Sequence, residues 1–410
     1  MKAPPGLFKD LNDEIVGDAI IINGKQLFID DYIIEELKGT EKILNQPVKH
    51  PRNPLIVSDK PWDKNGFNRG AVLYDDEEHI YKMWYIGYSP DRRGQILCYA
   101  ISRDGIKWQK PIINAKDGNN TVDVPVASNP HCVFKDPVET DPRRRYKMLY
   151  GDRSDGTAKT LSTNAAYSPD GIHWTAEPAN PLIPLSDTLS CPYWDHRRRR
   201  YVAYLRYGPP NTRLISRIES EDFIHWSPKV TVIRRTKMDD PLATKHYGMR
   251  IMPYEGIYVG LLTAYHGETL KPIPKDRPWT DRKNLHLTFS RNGLTWLRVG
   301  KHGAIPHREL SGDRDWKREA IEAVFLPYGR CDKDWDWGTM HAFQPPLVVG
   351  DEIRIYYVGQ NGRNWWTHSG DPPKRDPSAR KPKKSIGLAT LRLDGFVSIN
   401  AEEEGTLTTK

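Results

Sequence analysis

Residues 102–108 read Ser-Arg-Asp-Gly-Ile-Lys-Trp, and close variants of this phrase return further along the chain. The later copies are Ser-Pro-Asp-Gly-Ile-His-Trp at 168–174, Ser-Glu-Asp-Phe-Ile-His-Trp at 220–226 and Ser-Arg-Asn-Gly-Leu-Thr-Trp at 290–296, with a weaker copy, Leu-Asp-Gly-Phe, at 393–396. Ser and Asp side chains bond nearby backbone N–H groups, and Gly adopts a positive φ without strain. Each phrase therefore predicts a tight hairpin whose Trp packs between neighbouring sheets.

A second regularity lies upstream of each phrase: a β-rich run that ends in an acid, a turn, and an alternating strand rich in aromatic residues. The runs end at Asp75, Asp136, Asp195, Glu255 and Asp351, and the strands after them begin at Tyr81, Tyr146, Tyr201, Tyr258 and Ile353. Period-two alternation is typical of β-strands. Repetition at this spacing predicts an all-β, five-bladed β-propeller, because radial repetition leaves few exposed sheet edges.

The repeat predicts a single domain with an N-terminal extension. We expect residues 1–50 to form an N-terminal arm, in which a strand at 26–34 closes the ring, and residues 51–400 to form the propeller. The expected blades cover about residues 66–118, 126–180, 187–232, 245–300 and 338–400. Segments rich in Pro and charge, at 271–282 and 371–384, are expected to be insertions in the blades.

Composition and charge exclude several classes of protein. A chain with 38% hydrophobic and 28% charged residues is balanced for a globular fold, and no apolar stretch approaches a membrane span. A net charge of +8 over 410 residues is modest, so neither nucleic acid nor a membrane is expected as a partner. The four Cys residues form no CxxC pair, so we expect no metal and no cofactor. Residues 1–18 lack the apolar core of a signal peptide, which predicts a cytoplasmic protein or a trimmed secreted or periplasmic form.

The five repeats, the S-x-D-G-x-x-W hairpins and the Tyr-Lys-Met-Trp-Tyr strand at 81–85 resemble the five-bladed propeller glycoside hydrolases, which include invertases, levanases, arabinanases and xylosidases. The likeness covers about residues 50–400. In that family, three carboxylates project into a central funnel from the inner strands of the first three blades. The resemblance therefore implies a glycan substrate and carboxylate chemistry, in which one acid protonates the leaving oxygen while another attacks or activates water.

The catalytic motifs of that family are not matched in this chain. Residues 67–70 read Phe-Asn-Arg-Gly where Asn-Asp-Pro-Asn-Gly would lie, and residues 129–132 read Asn-Pro-His-Cys where Arg-Asp-Pro would lie. Residues 190–192 read Ser-Cys-Pro where Glu-Cys-Pro would lie. Lys-Asp-Pro at 135–137 mimics Arg-Asp-Pro, but the blade register places Asp136 in the turn at the far end of its strand.

Catalytic acids would then come from the loops that enter the inner strands or from the N-terminal strand. We predict Asp31, Asp187 and Glu322. Asp31 interrupts an otherwise apolar segment, although an outward-facing residue of an edge strand would look the same. Asp187 precedes the third inner strand, and the apolar neighbours of Glu322 would raise its pKa, as a general acid requires.

Polar residues near the starts of the inner strands are candidates for binding the substrate, because alternate residues of a strand share a face. The candidates are Asn68, Arg69, Asn129, His131, Asp240, His246, Arg250, Trp337, His341 and Gln344. Together with Arg206, the arginines would make the funnel basic, which points to an acidic or sulfated sugar. The alternative is that these groups only satisfy other buried polar atoms.

The leading hypothesis is a glycoside hydrolase that cleaves an oligo- or polysaccharide in the central funnel with loop Asp and Glu residues. A non-catalytic carbohydrate-binding propeller and a glycoside phosphorylase with an Arg and His phosphate site are the alternatives. Two converging carboxylates would favour hydrolysis, one carboxylate facing basic groups would favour phosphorolysis, and none would favour binding alone.

Overall fold

The computed structural model describes residues 14–16, 19–21, 24–64, 66–88, 95–124, 129–152, 162–186, 190–207, 213–234, 244–266, 281–304, 324–331, 333–364 and 383–410. Apart from two short 3₁₀ helices, Pro61–Asp63 and Pro142–Arg144, the regular structure of these residues is β-strand. The all-β prediction is therefore confirmed. Within the same residues, no helix is both long enough and apolar enough to span a membrane.

Three antiparallel sheets follow one another along the first half of the chain. The N-terminal arm precedes them and contains β1 (Glu14–Val16), β2 (Ala19–Ile21), β3 (Ile34–Leu44) and β4 (Val48–Lys49). The first sheet contains β5 (Phe67–Asp75), β6 (Ile80–Tyr88), β7 (Gln95–Ser102) and β8 (Thr121–Val122). The second contains β9 (Asn129–Lys135), β10 (Tyr146–Asp152), β11 (Ser162–Ser168), β12 (Thr175–Ala176) and β13 (Ile183–Pro184). The third contains β14 (Cys191–Asp195), β15 (Arg200–Tyr207), β16 (Leu214–Ser220) and β17 (Val230–Ile233).

The second half forms one extended sheet made of two antiparallel parts. The first part contains β18 (Thr244–Tyr254), β19 (Ile257–His266), β20 (Lys283–Ser290), β21 (Leu297–Gly300), β22 (Gly303–Ala304) and β23 (Val324–Leu326). The second part contains β24 (Thr339–Ala342), β25 (Leu347–Val349), β26 (Glu352–Gln360) and β27 (Lys384–Arg392). The two parts are joined by a parallel pairing of Lys283 with Thr339.

The N-terminal arm reaches the last sheet through β4, which pairs with β27 at Lys49 and Ala389. The predicted strand at 26–34 is wrong, because residues 28–33 form turns and bends. The backbone N–H of Tyr32 donates to the Asp30 carboxylate at 3.3 Å, a local bond that stabilises a turn over an extended strand. Strand β3 begins only at Ile34 and pairs with the C-terminal strand β28 (Val397–Thr409).

The first strands of successive sheets lie beside one another in the order β5, β9, β14, β18. The first sheet also meets the last one. Ala71 of β5 forms a parallel bridge with Gln344, which follows β24. The Val72 N–H donates to the Gln344 carbonyl at 3.0 Å, and the Gln344 N–H donates to the Gly70 carbonyl at 3.1 Å. The two ends of the repeat series are therefore in direct backbone contact.

The repeated phrase forms the hairpin that its residues predict. Ser102 Oγ accepts from the Gly105 N–H at 2.9 Å, and the Asp104 carboxylate accepts from the N–H groups of Ile106 and Lys107 at 2.8 and 2.7 Å. Gly105 has a φ of +73°, which favours glycine. The same serine bonds recur at the hairpins of Ser168, Ser220 and Ser290.

Aspartates at the far ends of the first strands bond tyrosines of the next sheet. Tyr146 Oη donates to Asp75 at 2.7 Å, Tyr201 Oη to Asp136 at 2.6 Å, and Tyr258 Oη to Asp195 at 2.6 Å. All six residues are buried. These aspartate–tyrosine pairs link consecutive sheets, so Asp136 lies in an inter-sheet contact at the far end of β9.

Candidate functional site

Three of the first strands contain a β-bulge close to their first residues. The register of β5 shifts between Phe67 and Gly70, and that of β18 shifts between His246 and Gly248. In β9, residues 130 and 132 face adjacent residues of β10, so His131 is the extra residue. A bulge redirects the side chains around it. In β18 the extra residue is Tyr247, and in β5 the bulge contains Arg69.

The bulges lie near the strand ends at which several basic residues converge. We call these residues the central basic cluster. In an antiparallel meander, the first residues of the first strand, the last residues of the second strand and the first residues of the third strand lie at the same end of the strands. Arg206 is close to the end of β15, Arg213 directly precedes β16, and Lys283 and Lys384 begin β20 and β27. The cluster comprises Arg69, Arg206, Arg213, Arg250, Lys283 and Lys384, arranged around Tyr247 and His341.

Tyr247 is surrounded by cations. Lys283 Nζ lies 3.9 Å from the centre of its ring, and the guanidinium carbons of Arg206 and Arg213 lie 4.4 and 5.3 Å from it. The imidazole of His341 lies 5.2 Å away, centre to centre. Lys283 and Arg206 are 3% and 6% exposed, whereas Tyr247 is only half-buried. A ligand therefore reaches Tyr247 and the equally half-buried Arg213 more easily than it reaches Lys283 or Arg206.

Burial and the positive charges of the cluster lower the pKa values of several of its residues. The charge of Lys283, assisted by Arg206 and Arg213 and opposed by burial, lowers the pKa of Tyr247 to about 6. Burial, and then the charge of Lys283, lowers the pKa of Lys384 to about 8. Burial and the same lysine hold the pKa of His341 well below its usual range. These shifts favour the phenolate form of Tyr247 and the neutral form of His341.

Among the described residues, the buried carboxylate of Asp281 lies next to the cluster. Tyr265 Oη donates to it at 3.0 Å, and its charge acts on Lys283, whose ammonium also donates to Asn364 Oδ1 at 2.5 Å. Asp281 is 7% exposed and has a φ of +61°, a conformation that non-glycine residues adopt sparingly. A buried acid in this conformation beside a basic cluster is a candidate functional group.

Arg250 of the cluster contacts a neighbouring strand and a thiol, and Gln344 makes a similar contact between strands. Arg250 Nε donates to the Ala342 carbonyl at 3.0 Å, and its Nη1 contacts Cys191 Sγ. Although burial opposes ionisation, a hydrogen bond from Cys132 and the charge of Arg250 lower the pKa of Cys191 to about 6. The amide of Gln344 bonds the N–H and the carbonyl of Ile251 at 3.0 and 2.7 Å. Gln344, which also bonds the backbone of β5, thus connects β5 with β18.

The structure brings together several of the residues predicted to bind substrate. Arg69, Arg250 and His341 lie in the central basic cluster, and the backbone N–H of the buried His246 donates to the Arg213 carbonyl at 3.2 Å. Asn68 Nδ2 donates to Tyr88 Oη at 2.8 Å, and Lys384 Nζ lies 5.0 Å from the centre of the Tyr88 ring. Their contact with a sugar stays a prediction.

Trp337 differs from the exposed platform expected for stacking on a sugar. Its side chain is only 2% exposed, and the guanidinium carbon of Arg282 lies 5.0 Å from the centre of its ring. The backbones of Asn129 and His131 belong to β9, but their side chains are not among the described groups. Asp187, Asp240 and Glu322 lie outside the described residues.

Asp31 lies away from the central basic cluster. Its carboxylate is 69% exposed and pairs with Lys42 Nζ at 2.5 Å. The neighbouring Asp30 pairs at 2.8 Å with Arg291, which directly follows β20, whereas Lys283 begins that strand. Since a strand rises about 3.3 Å per residue, the two ends of β20 are more than about 20 Å apart. The structure therefore places Asp31 near the opposite edge of the sheet, and its catalytic role stays a prediction.

The sequence reasoning missed Tyr247, Lys283, Arg213 and Lys384. Strict alternation cannot locate Tyr247, because the bulge of β18 breaks the alternation at that residue. Lys283 and Lys384 could have been found, since each begins the third strand of a meander and so shares an edge with the first-strand residues.

No protein-family model and no curated protein sequence matches this chain. Solved structures do match it. An N-acetylgalactosamine deacetylase from F. plautii, in complex with blood group B trisaccharide, is 14% identical over 86% of this chain and 96% of its own, with a TM-score of 0.52. A structure described as a glycoside hydrolase is 14% identical over 85% of this chain and 92% of its own, with a TM-score of 0.52.

A third match is described with the statement that the GH130 family of mannoside phosphorylases contains glycoside hydrolases that target β-1,2 mannosidic linkages in Candida mannan. It is 15% identical over 85% of this chain and 94% of its own, with a TM-score of 0.50. At these identities the matches establish the fold. The chain has the fold of the β-propeller glycoside hydrolases, which confirms the resemblance found in its sequence.

Proposed function

We propose that this protein is a five-bladed propeller enzyme that cleaves a glycan, as a glycosidase, at the central basic cluster. The blade count is supported by the two meanders of the extended sheet, which are joined by one parallel pairing and otherwise repeat the pattern of the three preceding sheets. The backbone contacts of Ala71 and Val72 with Gln344 support closure between the first and last blades.

The central basic cluster is the observation that carries the substrate class. Burying several cations is costly unless counter-charges are nearby, so the charge of the cluster favours anions around it. Tyr247 and Asp281 offset part of this charge from within the protein. A bound anion would offset more, and Arg side chains are well suited to carboxylates and sulfates because their paired N–H groups bond both oxygens. We therefore propose an acidic or sulfated oligo- or polysaccharide as the substrate.

Hydrolysis would need two carboxyl groups, one to protonate the leaving oxygen and one to attack or to activate water. Asp187 and Glu322 remain our candidates from the loops, with Asp31 the weaker one because of its position near the opposite edge. Asp281 joins them, since it is buried beside Lys283. An Asp281→Asn variant that keeps its fold and loses turnover would place this residue in the reaction.

The proposed function is tested by incubating the protein with neutral, uronic and sulfated oligosaccharides, with and without phosphate. The masses of the products are then measured by mass spectrometry. Cleavage that is selective for acidic glycans is expected. Arg206→Ala should weaken it, whereas Arg143→Ala, which removes an arginine that is 85% exposed, should not. A sugar phosphate would indicate phosphorolysis instead. Intact glycans that nevertheless bind would show a binding protein and would overturn the proposal.

A further inference from the structure

The central basic cluster contains the groups required for a second way of breaking a glycosidic bond, β-elimination. A glycan that contains a uronic acid can be cleaved without water when a base removes the proton at C5 and the oxygen at C4 departs. The reaction needs cations to hold the uronate carboxylate, a base near C5, and a proton for the leaving oxygen. It does not need the pair of carboxylates on which hydrolysis depends.

We propose that this protein cleaves uronate-containing glycans by β-elimination, with Tyr247 as the catalytic residue that takes the C5 proton. This inference rests on the proposed function, namely that an acidic glycan binds at the central basic cluster.

The position of Tyr247 supports this role. It is the extra residue of the β18 bulge, and its half-buried ring remains more accessible than the buried Lys283 and Arg206 beside it. The nearby charges that favour its phenolate make it a base near neutral pH, where a general base is most effective. His341, whose pKa is lowered, is neutral and adds no further charge.

Arg206 and Arg213 are placed to hold the carboxylate of the uronate. Their guanidinium carbons lie 4.4 and 5.3 Å from the centre of the Tyr247 ring, and Arg206 also donates a hydrogen bond to this tyrosine, so an anion bound to them would lie close to Tyr247. When the C5 proton leaves, negative charge spreads into this carboxylate. Fixed cations stabilise that developing charge, which makes the C5 proton easier to remove.

The step balances without another reactant. The Tyr247 phenolate takes the proton from C5, and the electron pair of the C5–H bond forms a double bond between C4 and C5. The bond from C4 to the glycosidic oxygen breaks, and its electron pair stays on that oxygen. Tyr247, now a neutral phenol, returns the proton to the oxygen and is restored to the phenolate. No water, metal or oxidant is consumed.

The test uses the intact protein with oligouronates such as oligogalacturonate and oligoglucuronate. Elimination gives an unsaturated uronate, detected by its ultraviolet absorbance, and products whose masses sum to that of the substrate. Tyr247→Phe is expected to lower turnover about 10²- to 10⁴-fold. Tyr74→Phe, a change at a tyrosine that is 42% exposed on β5, should have no effect.

The outcomes separate this inference from the proposed function. Products that have gained the mass of water would overturn elimination and leave the glycosidase proposal standing, whereas uncleaved oligouronates would overturn the elimination. Undiminished elimination by Tyr247→Phe would overturn the role of Tyr247. If that variant does not fold, the wild-type pH profile decides: turnover should rise with pH through about 6, as Tyr247 ionises, and a profile flat there would exclude it.

Discussion

At the scale of single residues, the site depends on how Lys283 and Tyr247 share charge. The ammonium of Lys283 is 3% exposed and lies 3.9 Å from the centre of the Tyr247 ring. Burial lowers the pKa of Lys283, and the charge of Tyr247 raises it again in part. In return, the lysine lowers the pKa of Tyr247. Each residue therefore favours the charged form of the other, which keeps a base and a cation together in a region with little water.

This coupling predicts how stability depends on pH. The pKa of Tyr247 is about 6 in the folded protein against an ordinary value of 10.0, so between these values the unfolded chain binds one more proton at this residue. Its contribution to stability therefore rises with pH across that window and is lost as the pH falls through about 6. We expect the difference in Tm between the wild type and Tyr247→Phe to grow from pH 6 to pH 9, measured by calorimetry. A constant difference would contradict the ionised phenolate.

At the scale of structural elements, the hairpins link the sheets as well as turning the chain. The Gly171 carbonyl accepts from Trp84 Nε1 at 2.7 Å, and the Gly293 carbonyl accepts from Tyr204 Oη at 2.7 Å. Gly105 makes the same kind of bond with Tyr356 of β26. The glycine must therefore both adopt the positive φ of the turn and leave space for an aromatic side chain.

A matched pair of glycine substitutions can separate these two demands. A Cβ at Gly171 would lie 2.4 Å from Cζ2 of the buried Trp84, and the residue has a φ of +81°. Gly118 has a φ of +61°, but a Cβ there would meet nothing within 4 Å. Gly118→Ala should lower the free energy of unfolding by about 1 kcal/mol, from backbone strain alone. Gly171→Ala should lower the free energy of unfolding by about 3 kcal/mol, because the clash with Trp84 adds to the backbone strain. Both values are measured by denaturant titration. Equal losses would refute the role of the Trp84 contact.

The aspartate–tyrosine pairs predict sensitivity to acid. Asp75 accepts from Tyr146, Lys82 and Lys135, and these bonds, opposed by burial, hold its pKa well below the usual range. A lowered pKa in the folded state means that its stabilisation is present at neutral pH and is lost as the pH falls below the ordinary value of 3.8. We expect Asp75→Asn to lower the free energy of unfolding at pH 7 by about 2 kcal/mol, because it removes one of the two carboxylate partners of the buried Lys82.

The neighbouring Asp76 is exposed and provides the control for Asp75. Asp76→Asn should change the free energy of unfolding by less than about 0.5 kcal/mol. Urea titrations at pH 7 and at a pH well below 3.8 should show that the difference in unfolding free energy between the two variants narrows in acid. A gap that stays constant would mean that the Asp75 carboxylate contributes through packing rather than through its charge.

At the scale of the whole molecule, a site that contains several cations would couple anion binding to folding. A ligand that binds only the folded state raises its stability by about 2.7 kcal/mol at a concentration of 100 times its Kd. Galacturonate or sulfate should therefore raise the Tm of the wild type more than chloride does at equal ionic strength. The increase in Tm caused by galacturonate or sulfate should be smaller in Arg206→Ala and unchanged in Arg143→Ala. An equal response to all three anions would indicate screening alone and no specific site.

Much of the fold could be predicted from the sequence, because the hairpin phrase encodes its own geometry through Ser102, Asp104 and Gly105. The candidate site could be predicted only in part. Arg69, Arg250 and His341 follow from their places near the starts of the first strands. Tyr247 does not, because a bulge is an irregularity of strand pairing, and pairing partners are not visible in a single sequence. The turn at 28–33 was missed because Asp30 bonds its own backbone within an otherwise apolar run.

The aspartate–tyrosine pairs also bear on how such a chain could change in length. The second and third sheets each provide an aspartate acceptor to the following sheet and a tyrosine donor to the preceding one, as the second sheet does with Asp136 and Tyr146. A duplicated unit would therefore carry both halves of the bond and could be inserted without leaving either group unpaired. Gene duplication or loss of a whole unit preserves these contacts, whereas a cut within a unit would remove the tyrosine donor of a buried carboxylate.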